Sequence, residues 1–491
     1  MFESAEIGHS ISTSRFKREA PKLREALLEA EYRLLEKPEF PVLILVGGVE
    51  GAGKGETVNL LNEWMDPRHI RAEAFGPPSN GERSRPPMWR FWRVLPPRGK
   101  IGMFFGSWYT DPIVGRVEGS LKRGEFGRRL ERIRHFEKML VAEGMVILKL
   151  WFHLTKDAQK ERMRTLSENE LTRWRVTPAD WERLKQYDAF ATHSAEALRE
   201  TSTGEAPWHV IDGADANYRA LTAGKLVLDA LTCGLAGGSP QLTPSAPPPV
   251  PALDSRDLIN SLDYTRSLAA RRYPKELERA QGRLNLLTRH KRMQDRSLVL
   301  VFEGMDAAGK GSAIRRVTRA LDARYYRVVP IGAPSDEERA QPYLWRFWRH
   351  VPGHGRAVIF DRSWYGRVLV ERVEGFCAEP DWMRAYHEIN EFEEQLVDNG
   401  AIVLKFWMSI TLGEQLKRFR EREKTPYKHH KITADDWRNR EKWPQYEQAV
   451  CDMIERTSSA RAPWCLIPAN DKRYARVEVL NGIADAIEKR L

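Results

Sequence analysis

The stretch "VLVFEGMDAAGKGSAI" (residues 299–314) decides the fold. It begins as a β-branched run, turns at Gly304 into the pattern G-x-x-x-x-G-K closed by Gly309 and Lys310, and continues as a helix start. Strand, glycine-rich curl and helix in that order are the setting a phosphate-binding loop needs. Glycines let backbone N–H groups converge on an anion, the helix N-terminus adds a partial positive charge, and Lys310 adds a full one. This reading puts phosphate against Gly304, Ala307, Ala308, Gly309, Lys310, Gly311 and Ser312; the bland alternative is a plain glycine-rich turn.

A near copy, "LILVGGVEGAGKGETV", occupies residues 43–58, and Gly48 lies 256 positions before Gly304. The same offset relates Trp92 to Trp348, Lys149 to Lys405, Trp181 to Trp437 and Trp208 to Trp464. A single offset over that span means two gap-free homologous domains. Their expected bounds are 1–235 and 254–491, joined by a Pro-rich linker at 236–253 within "GGSPQLTPSAPPPVPALD" (237–254). In each copy, buried-strand runs such as "PVLILVGG", "GRAVIFDRS", "GAIVLKFWM" and "WCLIPAN" alternate with helical segments. One of these, "WMRAYHEINEFEEQLVDNG", stops at Gly400, and "TPADW" (177–181) and "TADDW" (433–437) read as matching helix starts. The fold class is therefore α/β: in each copy, a parallel sheet covered by helices, with ligands at the carboxyl ends of the strands.

Composition narrows the function. The 491 residues carry a formal charge of +11, which points to an anionic partner or to solubility charge alone. No run of eighteen apolar residues occurs, so no membrane-spanning helix or membrane partner is expected. The N-terminus lacks the order of a signal peptide, and the four cysteines show no metal-ligand spacing, so the expected compartment is the cytoplasm. No nucleic-acid module is recognisable.

Where loops of this type carry Ser or Thr for the metal, this one has Gly311, and Ser312 is turned away by about 100° of helix. The metal must lean on other oxygens. Asp306 in the loop and Asp361 in "IFDRSWYG" (359–366) form a carboxylate pair suited to Mg²⁺, although Asp361 alone could be a strand-end cap. Arg362 follows as a candidate phosphate contact. The run "LKRFREREKTPYKHHK" (416–431) reads as a basic lid over phosphates or as a solvated helix face. In "WRFWRHVP" (345–352), core tryptophans with snorkelling arginines outweigh base stacking, because both copies keep the residues.

Together "EGMDAAGKGS", "FDRSWYGR", "RFREREKTPYKHHKITADDW" and "APWCLIPANDKRYAR" resemble the second polyphosphate kinase family in its tandem two-domain form. The likeness covers residues 255–491 and, more weakly, 1–235. It implies two tandem P-loop kinase-like domains, each with a helical lid. It also implies Mg²⁺-dependent transfer of the terminal phosphoryl group of inorganic polyphosphate to AMP, giving ADP, with GMP open as a second acceptor. Carried over by motif, Lys310, Asp306, Asp361 and Arg362 are catalytic, and Arg418, Arg422, Lys428 and Lys431 are lid cations. The chemistry is coherent, since an AMP phosphate oxygen is mostly ionised at neutral pH and needs no histidine base. Competing readings are an ATP-dependent nucleoside or nucleotide kinase and a nucleic-acid-binding P-loop ATPase. A homo-oligomer is left open.

The first copy departs where the chemistry is. Glu50 stands for Asp306, Phe105 and Gly106 for Asp361 and Arg362, Thr172 for Lys428, and Ala216 and Asn217 for Lys472 and Arg473. A catalytically silent domain is expected, with polyphosphate binding through Lys54 as the weaker alternative.

Overall fold

A computed structural model describes residues 1–237, 257–425 and 434–491. The first copy contributes β1 (Val42–Gly48), β2 (Ile70–Ala74), β3 (Ile101–Phe105), β4 (Val146–His153) and β5 (Trp208–Asp212). They form a sheet in the order β2-β3-β1-β4-β5, with every pairing parallel. The second contributes β6 (Ser297–Gly304), β7 (Tyr326–Pro330), β8 (Ala357–Asp361), β9 (Ala401–Ser409) and β10 (Trp464–Pro468). Their order, β7-β8-β6-β9-β10, is the same.

The glycine loop leaves the central strand of each sheet, β1 or β6. Helices cover both faces, so the central strands are buried: every residue of β9, Lys405 included, is buried, and so are the first five of β1, an unbroken apolar run. Pro330 is tolerated because β7 is an edge strand. In the first sheet's cover, Leu23, Leu27, Ala30 and Leu34 recur at helical spacing on Thr13–Glu36 and are buried. The helix Glu379–Asp398 ends before Gly400, whose φ of 84° is the left-handed cap position expected there. Thr177 and Asp180 form the anticipated capping box, with Pro178 in the first turn. The Thr433 cap and nearly all of the Pro-rich linker lie outside the described residues.

Compactness divides the chain into two units. One joins Met1–Pro78, Arg90–Thr243 and Ser335–Trp345; the other joins Ser79–Trp89, Pro244–Pro334 and Arg346–Leu491. Each unit thus includes a short segment from the other sequence copy, beyond the expected bounds of 1–235 and 254–491.

The shared Ser-Trp-Tyr motif is structural. In the second copy, Trp364 Nε1 and the Tyr365 hydroxyl both donate to Glu393 Oε1, at 3.0 and 2.6 Å. Lys405 Nζ donates to Glu393 Oε2 and to the Thr457 carbonyl, both at 2.7 Å. Trp108, Tyr109, Glu137, Lys149 and Thr201 repeat the arrangement in the first copy. Burial pushes both lysines down, and the paired carboxylate opposes it. Removing one partner from such a pair costs about 3–5 kcal/mol, which is reason enough to keep the motif in both halves. Trp348 and Trp464 are core residues as well.

Candidate phosphate- and metal-binding site

β6 ends at Gly304, where φ is 148° and a Cβ would sit 2.4 Å from the Met408 carbonyl oxygen on β9. Only glycine fits there. The loop closes at Gly309, a left-handed cap with φ 106°, whose carbonyl accepts from the N–H groups of Ser312 and Ala313 as the helix Lys310–Thr318 begins. Lys310 Nζ lies inside the curl, donating to the carbonyls of Gly304 (2.6 Å) and Met305 (3.4 Å). Burial and the nearby Arg362 lower its pKa, opposed by Asp306, Glu303 and Asp361. A lysine sensed by three carboxylates is the centre of the site.

Among the described residues, two other than glycine hold positive φ, Ala307 (63°) and Arg362 (65°). Both belong to the site. The first copy has Gly51 and Gly106 at these positions, with φ of 75° at each. The second copy accepts a left-handed cost of about 1 kcal/mol or more per residue in order to carry side chains there. Arg362 uses its side chain directly, donating from Nη2 to Asp306 Oδ1 at 3.2 Å. Asp361 ends β8 beside the loop, with Oδ2 3.9 Å from where a Cβ on Gly311 would stand. Two carboxylates with hard oxygen donors beside a phosphate loop fit a divalent cation that keeps much of its water.

Other expected residues have different surroundings. Arg418, expected to face phosphate, is buried and donates to the carbonyls of Ala307, Ala308, Ala469 and Asn470 as well as to Glu414. Its five N–H groups are engaged, so it braces the loop from behind. Ser312 Oγ accepts from Arg476 Nε at 2.8 Å. Arg422 is half-buried near the end of the helix Leu412–Glu423. Lys428 and Lys431 lie outside the described residues.

Three residues were missed in the sequence. Glu303, at the end of β6, is buried, accepts from Ser363 Oγ at 2.8 Å, and is pushed up by desolvation. Gln415 Nε2 donates to the Asp306 carbonyl at 3.2 Å, and Asn439 Nδ2 to Asp306 Oδ2 at 2.9 Å. The 256-residue offset carried a signal for two of these, because Glu303 faces Gly47 and Asn439 faces Arg183.

In the first copy the curl is intact: Gly48 has φ 137°, and Lys54 Nζ donates to the Gly48 and Val49 carbonyls at 2.7 and 3.1 Å. An arginine packs against its last glycine. A Cβ on Gly53 would meet Arg219 Cζ at 2.2 Å, whereas none of the described residues lies within 4 Å of one on Gly309. Arg219 donates to Glu56 Oε2 (2.6 Å) and to the Gly213 carbonyl (2.7 Å), and Arg162 and Arg175 also pair with Glu56.

A parallel sheet in this order, with a glycine loop, buried lysine and acidic strand end at its centre, defines a P-loop phosphotransferase. The family described as "Polyphosphate kinase 2 (PPK2)" matches residues 10–235 and 267–491. A Polyphosphate:AMP phosphotransferase of Pseudomonas aeruginosa is 55% identical over 489 residues, 99% of each chain. One of Acinetobacter johnsonii is 38% identical over 464 residues, 93% of this chain and 94% of its own. A crystal structure of a putative polyphosphate kinase 2 from Pseudomonas aeruginosa superposes with a TM-score of 0.91 at 53% identity, covering 100% of this chain and 99% of that one. The chain belongs to the polyphosphate kinase 2 family, with one family domain in each half.

Proposed function

We propose that this chain transfers the terminal phosphoryl group of inorganic polyphosphate to AMP, giving ADP, and that residues 254–491 carry the reaction. The observation that carries the reading is the gathering of Lys310, Asp306, Asp361 and Arg362 around one loop, in a chain similar over its full length to polyphosphate:AMP phosphotransferases. The loop N–H groups and Lys310 hold the donor's terminal phosphate, and Arg362 neutralises charge as the transferred group loosens. Arg418 keeps the loop in shape. Asp306 and Asp361 would hold Mg²⁺, which would supply charge neutralisation for the transferred phosphoryl group. The acceptor oxygen arrives ionised, so alignment replaces a general base. GMP stands as the second acceptor to assay.

Residues 1–235 form a silent partner domain, and residues 236–253 a linker. In the first copy, Phe105 and Gly106 replace the strand-end acid and its arginine, and Arg219 packs against Gly53. A cytoplasmic setting and the absence of a nucleic-acid partner belong to the same reading, which the free thiols at Cys377, Cys451 and Cys465 support. No helix among the described residues is long and apolar enough to cross a membrane.

The test is incubation with AMP, Mg²⁺ and polyphosphate in the absence of ATP, following ADP. ADP formation that requires all three is the expected outcome. Activity only with ATP would point instead to an ordinary nucleotide kinase.

A further inference from the structure

Asp306 is held at both oxygens. Arg362 takes Oδ1, and Asn439, on the helix Ala434–Glu441, donates to Oδ2 at 2.9 Å. The amide is fixed in turn. Its Oδ1 lies 3.3 Å from the Tyr446 hydroxyl, which also lies 3.4 Å from Glu374 Oε1. Only the –NH₂ side of Asn439 can face a carboxylate, and only its carbonyl side can accept from a phenol, so the two contacts agree on one orientation.

Glu374 anchors the assembly. Its side chain is 4% exposed, and its Oε2 takes Arg438 Nε at 3.1 Å and Lys442 Nζ at 2.9 Å. With both cations on Oε2, the single Tyr446 proton is shared between Glu374 Oε1 and Asn439 Oδ1. Burial and the Glu374 charge raise the Tyr446 pKa, so that proton stays on the phenol. The first copy keeps Glu118 in place of Glu374, but exposed, and has Glu182, Arg183, Gln186 and Phe190 where the second has Arg438, Asn439, Lys442 and Tyr446. The whole chain of contacts from Glu374 to Asp306 is confined to the copy with the acidic pair.

We propose that Asn439 is a positioning residue of the transfer site: its amide orients the Asp306 carboxylate, and the Glu374–Tyr446 anchor makes that orientation depend on seating of the helix Ala434–Glu441. The inference rests on the reading of Asp306 as a metal carboxylate. A carboxylate oxygen has two lone-pair directions, so the amide can keep one while a cation takes the other. An outer partner of this kind sets which direction remains for the cation.

The experiment uses the full chain with Asn439→Ala and Tyr446→Phe. Mn²⁺ binding is read by electron paramagnetic resonance, beside kcat and KM for polyphosphate and AMP. Loss of an outer-shell partner typically costs about 10–100-fold in metal affinity or activity. Asn439→Ala is expected to weaken Mn²⁺ and lower kcat by that order, with KM for polyphosphate within about twofold. Tyr446→Phe should shift the same two quantities in the same direction by a smaller factor, with an unchanged melting temperature to exclude misfolding. Wild-type Mn²⁺ affinity in a folded Asn439→Ala chain overturns the proposal, as does a rise in KM alone. If the wild-type chain makes no ADP from polyphosphate, the reaction is misassigned, and the Mn²⁺ titration still decides the role of Asn439.

Discussion

The two glycine loops share a backbone and differ in what faces them. In the second copy no described residue lies within 4 Å of a Cβ built on Gly309, Lys310 lies inside the curl, Arg418 braces it from behind and Arg362 holds Asp306. In the first copy, Arg219 lies across Gly53 and Glu56 gathers three guanidinium groups. At the matching positions the second copy has Ala475 and Ser312. Guanidinium groups beside the first loop are therefore already paired with a carboxylate of the same copy. The lesson is that a phosphate loop is a backbone shape first, and chemistry depends on which side chains are kept away from it.

The sharpest way to break this contrast is to remove each loop lysine in turn. Lys310→Ala should lower kcat by on the order of 10²–10³, as losing one preorganised charge contact does. Lys54→Ala should leave it within about twofold. Equal losses, measured as ADP formed from AMP and polyphosphate, would mean that both loops work.

Arg362 offers a second cut, because its backbone is strained and its counterpart Gly106 relaxes the same turn. Arg362→Gly should lower turnover by about 10²-fold while the melting temperature stays level or rises by about 2 °C. Relief of left-handed strain of about 1 kcal/mol is partly offset by the freer unfolded chain. Arg362→Lys keeps the strain, so it should lose turnover with no thermal gain. A melt well below wild type for the glycine variant would show that the arginine supports the fold.

Much of this was legible in the sequence, because parallel-sheet patterning and the 256-residue offset are one-dimensional signals. The central strands, the glycine loop, the Gly400 cap and the loss of Asp361 and Arg362 from the first copy all follow from them. What stayed hidden depends on direction. Arg418 reads as one more cation in a basic run, yet it turns inward because the loop carbonyls need donors. Asn439 is a neutral residue in a charged helix, and only the fold brings it to Asp306, 133 positions away. The exchanged short segments leave no trace in composition at all.

The first loop can be given two of its twin's residues. Glu56→Ser with Arg219→Ala installs the residues that the second copy carries at those positions and removes the carboxylate and the guanidinium together. Arg219→Ala alone leaves Glu56 paired with Arg162 and Arg175, whereas Glu56→Ser alone takes the carboxylate from the buried Arg219; an unsatisfied buried donor costs about 1–3 kcal/mol, so Glu56→Ser alone should be the less stable chain. In a Lys310→Ala background, where the second loop is weakened, the double variant should bind polyphosphate measurably more tightly than the background alone. That gain should fade as salt rises, since it rests on exposed charge at Arg162 and Arg175 and on Lys54. Turnover should not return, because Phe105 and Gly106 still stand where an acid and an arginine are needed. Binding unchanged by the double substitution, in a chain that melts normally, would show that the Glu56–Arg219 pair does not limit anion binding at the first loop.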